Sequence, residues 1–408
     1  MTGQAAARQG RGWALLTGLL ALLVMLNYAD RGAIAIAAPG LKDELQLSAL
    51  GFGLAISAFS WIYAPAQLAI GWLADRLNVY RLIAAGLMLW AASTMLTAAA
   101  TSLAMLVGLR LLLGLGEGVA FPAASKIIAG QVPARRRGLA NSSLAAALAA
   151  GPAAGTFAGG LILAAAGWRM VFLVFGAVTL LWLLPWHFAS KPLRKQSAAT
   201  AGVPMRQVLG RPTVWALGFG LFCANYAFFF LLAWLPLFLV KERGFTILEM
   251  TSLTTSVYLV QALGALGFGW LSDRLVAAGR DESRLRKGLM LASLLVTAAA
   301  VIGVGTASST GAIALWLLLA GASMGPAATN CYAIAQIFAG PRASGSWVGA
   351  MNAIGNCSGI VGPLMTGWIV DRSGSYLAAF LLAAAVSAVG ALWWGLALPR
   401  IEPVAHDP

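Results

Sequence analysis

Four charged residues fall in stretches where charge is expensive. Asp30 and Arg31 stand in Met25-Leu-Asn-Tyr-Ala-Asp-Arg-Gly-Ala33, near the far end of the first long apolar stretch, beside Asn27 and Tyr28. Arg110 and Glu117 stand seven residues apart in the fourth. An ionised side chain at membrane depth costs at least ~2.5–3.5 kcal/mol on insertion scales, so such residues are read first as functional. Carboxylates there can take and release protons as neighbouring charge changes, and guanidiniums are permanent cations whose forked donors suit a carboxylate. Asp30 and Glu117 are therefore expected to carry coupling protons. Arg31 and Arg110, facing one cavity, are expected to hold an organic anion. The structural alternative is a set of interhelical clasps, with Asp30 paired to Arg110 and Glu117 to a hydroxyl of the first or second helix.

No other constellation offers chemistry. His187 ends the sixth apolar stretch and His406 lies near the C-terminus, so neither reads as a proton relay. Cys223, Cys331 and Cys357 fall in apolar segments without metal-ligand spacing and read as packing residues. A buried Ser/His/Asp set, a His-Glu-x-x-His motif and a phosphate-cradling glycine loop are all lacking, which argues against a membrane-embedded enzyme. The tails are too short for the soluble extension expected of a sensor. No metal and no cofactor other than protons is expected.

The elements that position these residues are membrane helices. With 60% hydrophobic and 10% charged residues over 408 positions, and a mean hydropathy of +0.83, the chain has more apolar surface than a soluble fold could hide. Repeated apolar runs of roughly 20 residues match the ~30 Å hydrocarbon core. The expected fold is an all-α polytopic membrane protein with twelve transmembrane helices. The first helix, from Trp13 to Ala38 with its stop at Pro39-Gly40, is too long for a cleavable signal. The expected organisation is a disordered cytoplasmic tail (1–12), an N-terminal six-helix bundle (13–189), a cytoplasmic linker (190–210), a C-terminal six-helix bundle (211–398) and a second cytoplasmic tail (399–408). The net charge of +14 does not indicate nucleic acid, because the basic residues are spread over short loops. With both termini cytoplasmic, 20 Lys/Arg fall on the inner side and five outside (Lys42, Arg169, Lys241, Arg243, Arg372), as the positive-inside bias requires. The first helix then runs outward and the fourth inward. Asp30, Arg31 and Arg110 share a depth, and Glu117 sits about 10 Å nearer the membrane centre on nearly the same face as Arg110.

The second half repeats the first. Gly71-Trp-Leu-Ala-Asp-Arg-Leu77 returns 198 residues later as Gly269-Trp-Leu-Ser-Asp-Arg-Leu275, and Gly151-Pro152 is echoed by Gly362-Pro363. Such duplication recurs in secondary transporters, whose sites lie near the midplane. Across its whole length the chain resembles the major facilitator superfamily, whose best-known signature is the Gly-x-Leu-x-Asp-Arg turn. Asn27-Tyr-Ala-Asp-Arg31, Arg110-Leu-Leu-Leu-Gly-Leu-Gly-Glu117 followed by Phe121-Pro122, and Gly349-Ala-Met-Asn-Ala-Ile-Gly-Asn356 resemble the anion:cation symporter family, which includes bacterial galactonate, glucarate and hexuronate transporters and sialin-like carriers. That resemblance ties Arg31 to the substrate carboxylate and to proton coupling, and places Tyr28, Tyr63 and Arg110 in the cavity.

The second half has no comparable buried charge. Uncharged polar residues on its apolar helices, Asn225, Tyr258, Gln261, Asn330, Asn352 and Asn356, are candidates to read hydroxyls, or equally to serve as interhelical glue. Asp75, Arg76, Asp273 and Arg274, at inner helix ends, are candidate gating latches, or simply topology determinants. Sugar-acid members of the family usually place a polar residue mid-way along the fifth helix. Here Leu144 to Ala150 is wholly Ala and Leu, which points to a cargo less hydroxylated than a six-carbon aldonate, such as an aromatic or short aliphatic carboxylate. The leading expectation is a monomeric, proton-coupled rocker-switch importer of a small organic carboxylate in a bacterial inner membrane. The alternative is a proton-driven exporter of drugs or metabolites with the same fold.

Overall fold

The computed structural model describes residues 2–132, 137–191 and 205–402, and every regular element among them is helical. In chain order these are α1 (Thr2–Arg31), α2 (Ala33–Glu44), α3 (Ala49–Arg76), α4 (Val79–Thr97), α5 (Leu103–Glu117), α6 (Ala120–Gln131), α7 (Arg137–Ala166), α8 (Trp168–Leu181) and α9 (Leu183–Ser190). After α10 (Met205–Leu209) come α11 (Pro212–Leu237), α12 (Ile247–Ala277), α13 (Glu282–Thr306), α14 (Thr310–Gly355), α15 (Ser358–Ser373) and α16 (Leu377–Leu392). Eleven stretches among the described residues are long and apolar enough to cross a bilayer. α12, at 31 residues, fills the eighth place in the order, its apolar character diluted by Thr251, Ser252, Thr254, Thr255 and Gln261. Large apolar side chains such as Leu181, Leu184, Phe188, Leu263 and Leu315 face outward, as they must where the surroundings are hydrocarbon.

Polar caps start the helices where the sequence supplies them. Asn78, Ser102, Asp281 and Ser309 accept the backbone N–H groups of Arg81, Met105, Arg284 and Ala312, satisfying donors that the first turn leaves open. Two expectations fail. The first helix does not stop at Pro39-Gly40: it breaks earlier, at Gly32, and α2 runs through Pro39 to Glu44. Pro39, the seventh residue of α2, costs one internal hydrogen bond and leaves the rest of the helix in place. Residues 2–12, expected to be disordered, are helical as the start of α1, in keeping with a segment rich in Ala, Gln and Arg.

The described chain forms two compact units. Unit 1 comprises Met1–Leu47, Ala58–Thr200 and Leu239–Thr255; unit 2 comprises Ser48–Ser57, Ala201–Phe238 and Ser256–Pro408. Unit 1 is built on a cluster of Leu20, Leu23 and Val24 (α1), Phe59 and Tyr63 (α3), Ile83, Leu87 and Trp90 (α4), Leu113 (α5), Leu144 (α7), and Trp182 with Trp186. α7 approaches α1 through glycine: a Cβ on Gly155 would come within 2.5 Å of Ala29 Cα, and one on Gly151 within 2.7 Å of Tyr28 Cβ. Those two glycines bring the α1 backbone at Met25–Ala29 against α7, one turn from Asp30 and Arg31. Unit 2 has its own cluster of Leu217, Leu221, Met290, Leu294, Ile334, Phe338, Trp347, Met351 and Trp394. Within it, the Asp371 carboxylate at the end of α15 accepts the N–H groups of Ala49 and Leu50, each at 2.7 Å, and so caps the start of α3.

Candidate functional site

The four charged residues meet inside unit 1. Arg31 is the last residue of α1 and Glu117 the last of α5, so each sits where its helix is interrupted, at Gly32 and at Gly118-Val119. Helix interruptions of this kind place side chains and backbone ends together at transport sites. Arg31 Nε donates to Glu117 Oε2 at 3.1 Å and its Nη2 to Asn27 Oδ1 at 3.0 Å. Its guanidinium carbon lies 4.5 Å from the Tyr28 ring centroid, 4.3 Å from Tyr63 and 5.1 Å from Phe59. Tyr28 stands edge-on to Phe121, and Phe59 stacks on Tyr63. The pair is nearly dry, with 8% of Arg31 and 1% of Glu117 exposed. Rings on several sides of a guanidinium replace part of its lost hydration.

Asp30 is engaged elsewhere. Its Oδ2 accepts the hydroxyl of Thr94 at 2.6 Å and the indole N–H of Trp90, two residues one turn apart on α4. The clasp expected between Asp30 and Arg110 is therefore replaced by one between Asp30 and α4, and Glu117 takes a guanidinium, not a hydroxyl. Neither Trp90 nor Thr94 is marked by charge or motif. The one signal in the sequence is their i,i+4 spacing.

Arg110 is the unbalanced member. It is 4% exposed, packs 5.2 Å from the Phe59 ring centroid, makes no ion pair within 4.0 Å among the described residues, and its Nε has no acceptor. Glu117 Oε1 and Asn27 Nδ2 are likewise buried without a hydrogen-bond partner among the described residues. The cluster thus presents two donors and one acceptor that nothing among the described residues satisfies, in an interior where such atoms cost about 1–3 kcal/mol each. Leu144 of α7 belongs to the same hydrophobic cluster as Phe59 and Tyr63, and Ala147 and Leu148 pack against that cluster.

In unit 2 the polar candidates divide. Asn330 is buried and its Oδ1 accepts Arg286 Nη1 at 3.0 Å; Arg286 also meets Glu282 at 2.8 Å and Asp273 at 3.4 Å. That oxygen holds an arginine, which makes Asn330 interhelical glue in this structure. Asn352 Oδ1 accepts the Tyr332 hydroxyl at 3.0 Å. Asn225, Gln261 and Asn356 are half-buried, Asn356 lying at the interruption between α14 and α15, and Tyr258 is buried. Asp273 and Arg274 are exposed, the latter with its guanidinium carbon 5.2 Å from the Trp270 ring centroid. The side chains of Asp75 and Arg76 lie outside the described residues.

Several known proteins are similar to this chain along most of its length. A protein named as a probable sulfoacetate transporter of Cupriavidus necator is 31% identical, over 93% of this chain and 92% of its own. The hexuronate transporter of Bacillus subtilis is 29% identical, over 95% and 94%, and the D-galactonate transporter of Escherichia coli 26%, over 98% of each. A solved structure of a bacterial homologue of the human lysosomal transporter Spinster, inward-facing and unoccupied, superposes with a TM-score of 0.80 over 95% of this chain and 96% of that one, at 20% identity, which shows the shared fold. Residues 20–280 and 247–408 match the Major Facilitator Superfamily, and the chain belongs to that superfamily.

Proposed function

We propose that this protein is a symporter that imports a small organic anion together with protons, by rocker-switch alternating access in a bacterial inner membrane. The observation that carries the reading is the dry Arg31–Glu117 pair beside Arg110. A buried ion pair is strongly costly to break by removing one partner, because the other charge is left uncompensated. An incoming anion that takes Arg31 from Glu117 therefore forces a choice: Glu117 stays as an uncompensated anion, or it binds a proton. The second keeps the site balanced, one negative charge entering and one being neutralised. Protonation of Glu117 frees Arg31 for the anion, and the anion's departure inward returns Arg31 to Glu117 as the proton leaves. Asp30 is the second candidate carrier, and Trp90 and Thr94 hold its carboxylate in place. The anionic cargo named for the three relatives supports the assignment of an anion, and the intramembrane arginines fit poorly with cationic drugs. Asp75, Arg76, Asp273 and Arg274 are assigned to the rate of switching, with no part in specificity.

Uptake into proteoliposomes tests this. With an inward proton gradient the wild-type protein should accumulate the anion. Glu117→Gln should abolish gradient-driven accumulation while sparing exchange of labelled for unlabelled anion. Accumulation that persists in Glu117→Gln removes Glu117 from the coupling mechanism.

A further inference from the structure

One uncharged side chain touches both buried arginines. The guanidinium carbons of Arg31 and Arg110 lie 5.1 and 5.2 Å from the ring centroid of Phe59 on α3, inside the roughly 6 Å over which a cation is drawn to an aromatic ring. Phe59 is itself buried, so little water competes for either contact, and the attraction is of the stronger, desolvated kind. Tyr63, one turn further along α3, stacks on the same ring with centroids 5.0 Å apart. A glycine sets the register of the opposite helix. On α5, a Cβ added at Gly114 would come within 2.4 Å of the Phe59 carbonyl oxygen, so the turn that separates Arg110 from Glu117 lies directly on the α3 backbone at Phe59.

The two arginines depend on that ring to different degrees. Arg31 also has Glu117, Asn27 and the rings of Tyr28 and Tyr63. Arg110 has the Phe59 ring, no ion pair within 4.0 Å among the described residues, and an Nε without an acceptor. A ring and a carboxylate are different kinds of partner for a buried guanidinium. A carboxylate takes the N–H edge in a forked contact and neutralises the charge. A ring attracts the cation through its face, offsets part of the lost hydration, and leaves the charge and the N–H donors for something else. We propose that Phe59 is a positioning residue for transport, whose ring holds Arg110, and shares in holding Arg31, so that both guanidiniums are in place with donors open when the anion arrives. The inference rests on the reading above that these arginines receive an organic anion. The role belongs to the electrons of the ring, which distinguishes it from the packing of an apolar side chain.

The test replaces Phe59 in the full chain with mono-, di- and trifluorophenylalanine, which draw electron density off the ring face step by step and barely change its shape. Two quantities are read on the detergent-purified protein. One is the unfolding midpoint without added anion; the other is affinity by titration calorimetry for sulfoacetate, D-glucuronate and D-galactonate as probes. With each added fluorine the midpoint should fall, and affinity for any acid that binds the wild-type protein should fall with it, by about 10-fold in all at the trifluoro ring. Phe59→Leu, which keeps an apolar side chain, should lose at least as much affinity as the trifluoro ring. In Arg110→Gln the fall in midpoint per fluorine should be markedly shallower. Fluorine adds apolar surface, so a residue that only packs would leave the midpoint unchanged or raise it. A flat affinity series in a protein that binds one of the acids would overturn the positioning role and leave the anion reading standing. A midpoint series as steep in Arg110→Gln as in the wild type would overturn the hold on Arg110. Failure of all three acids to bind the wild-type protein, with cationic or neutral compounds binding in their place, would overturn the anion reading and the role of Phe59 with it.

Discussion

The Asp30 carboxylate offers the sharpest test of the site's architecture, because sequence and structure assign it different partners. In the structure Oδ2 accepts Thr94 at 2.6 Å and the Trp90 indole N–H. A hydrogen bond to a charged group contributes about 1.5–3 kcal/mol, and a buried donor left without its acceptor costs about 1–3 kcal/mol. Asp30→Ala strands two donors at once, so a loss of about 2–6 kcal/mol is expected, read as equilibrium unfolding in mixed micelles. Thr94→Val removes one donor and keeps the shape, and alone should cost about 1.5–3 kcal/mol. In the Asp30→Ala background the same substitution should cost close to nothing, since the valine then relieves a stranded hydroxyl. The coupling energy of the double-mutant cycle should therefore be about 1.5–3 kcal/mol. The cycle of Asp30→Ala with Arg110→Gln should show less, because no hydrogen bond or ion pair within 4.0 Å joins that pair among the described residues. If Asp30 couples more strongly to Arg110 than to Thr94, the α4 clasp is wrong and the interhelical ion pair expected from the sequence is restored.

Two further expectations concern packing and capping. Gly155→Ala puts a methyl group within 2.5 Å of Ala29 Cα, backbone against backbone, so α1 must shift. Overpacking of this kind costs about 1–3 kcal/mol, and transport should fall with stability because Asp30 and Arg31 move with Ala29; Gly18→Ala, with nothing within 4 Å, is the control that should leave transport unchanged and not lower stability. Asp371→Ala removes the acceptor for two N–H groups at the start of α3 and should lower unfolding stability by about 0.5–2 kcal/mol, with Asp371→Asn retaining most of the difference; equal losses in the two variants would show that the contact is not a cap.

Much of this protein is legible in one dimension. Helices that cross a bilayer must satisfy every backbone group internally and present apolar side chains over a fixed length, so about 20 apolar residues at a time announce themselves. Duplication is legible because the Gly71–Leu77 and Gly269–Leu275 turns repeat nearly letter for letter. Asp30, Arg31, Arg110 and Glu117 stand out because charge in hydrocarbon is costly enough to need a reason. Which charge meets which was not legible. Arg31 against Glu117, Asp30 against Trp90 and Thr94, and Arg110 against the Phe59 ring depend on the rotation of α1, α4 and α5 about their axes, and on two helix interruptions at Gly32 and Gly118-Val119. A shift of one residue in where a helix breaks turns a side chain by about 100°. The sequence by itself determined that these residues would be buried together; only the packing of α7 glycines against Ala29 and Tyr28, and the rings that close around Arg31, decided the pairing, because side-chain direction is set by contacts between helices that no local pattern records.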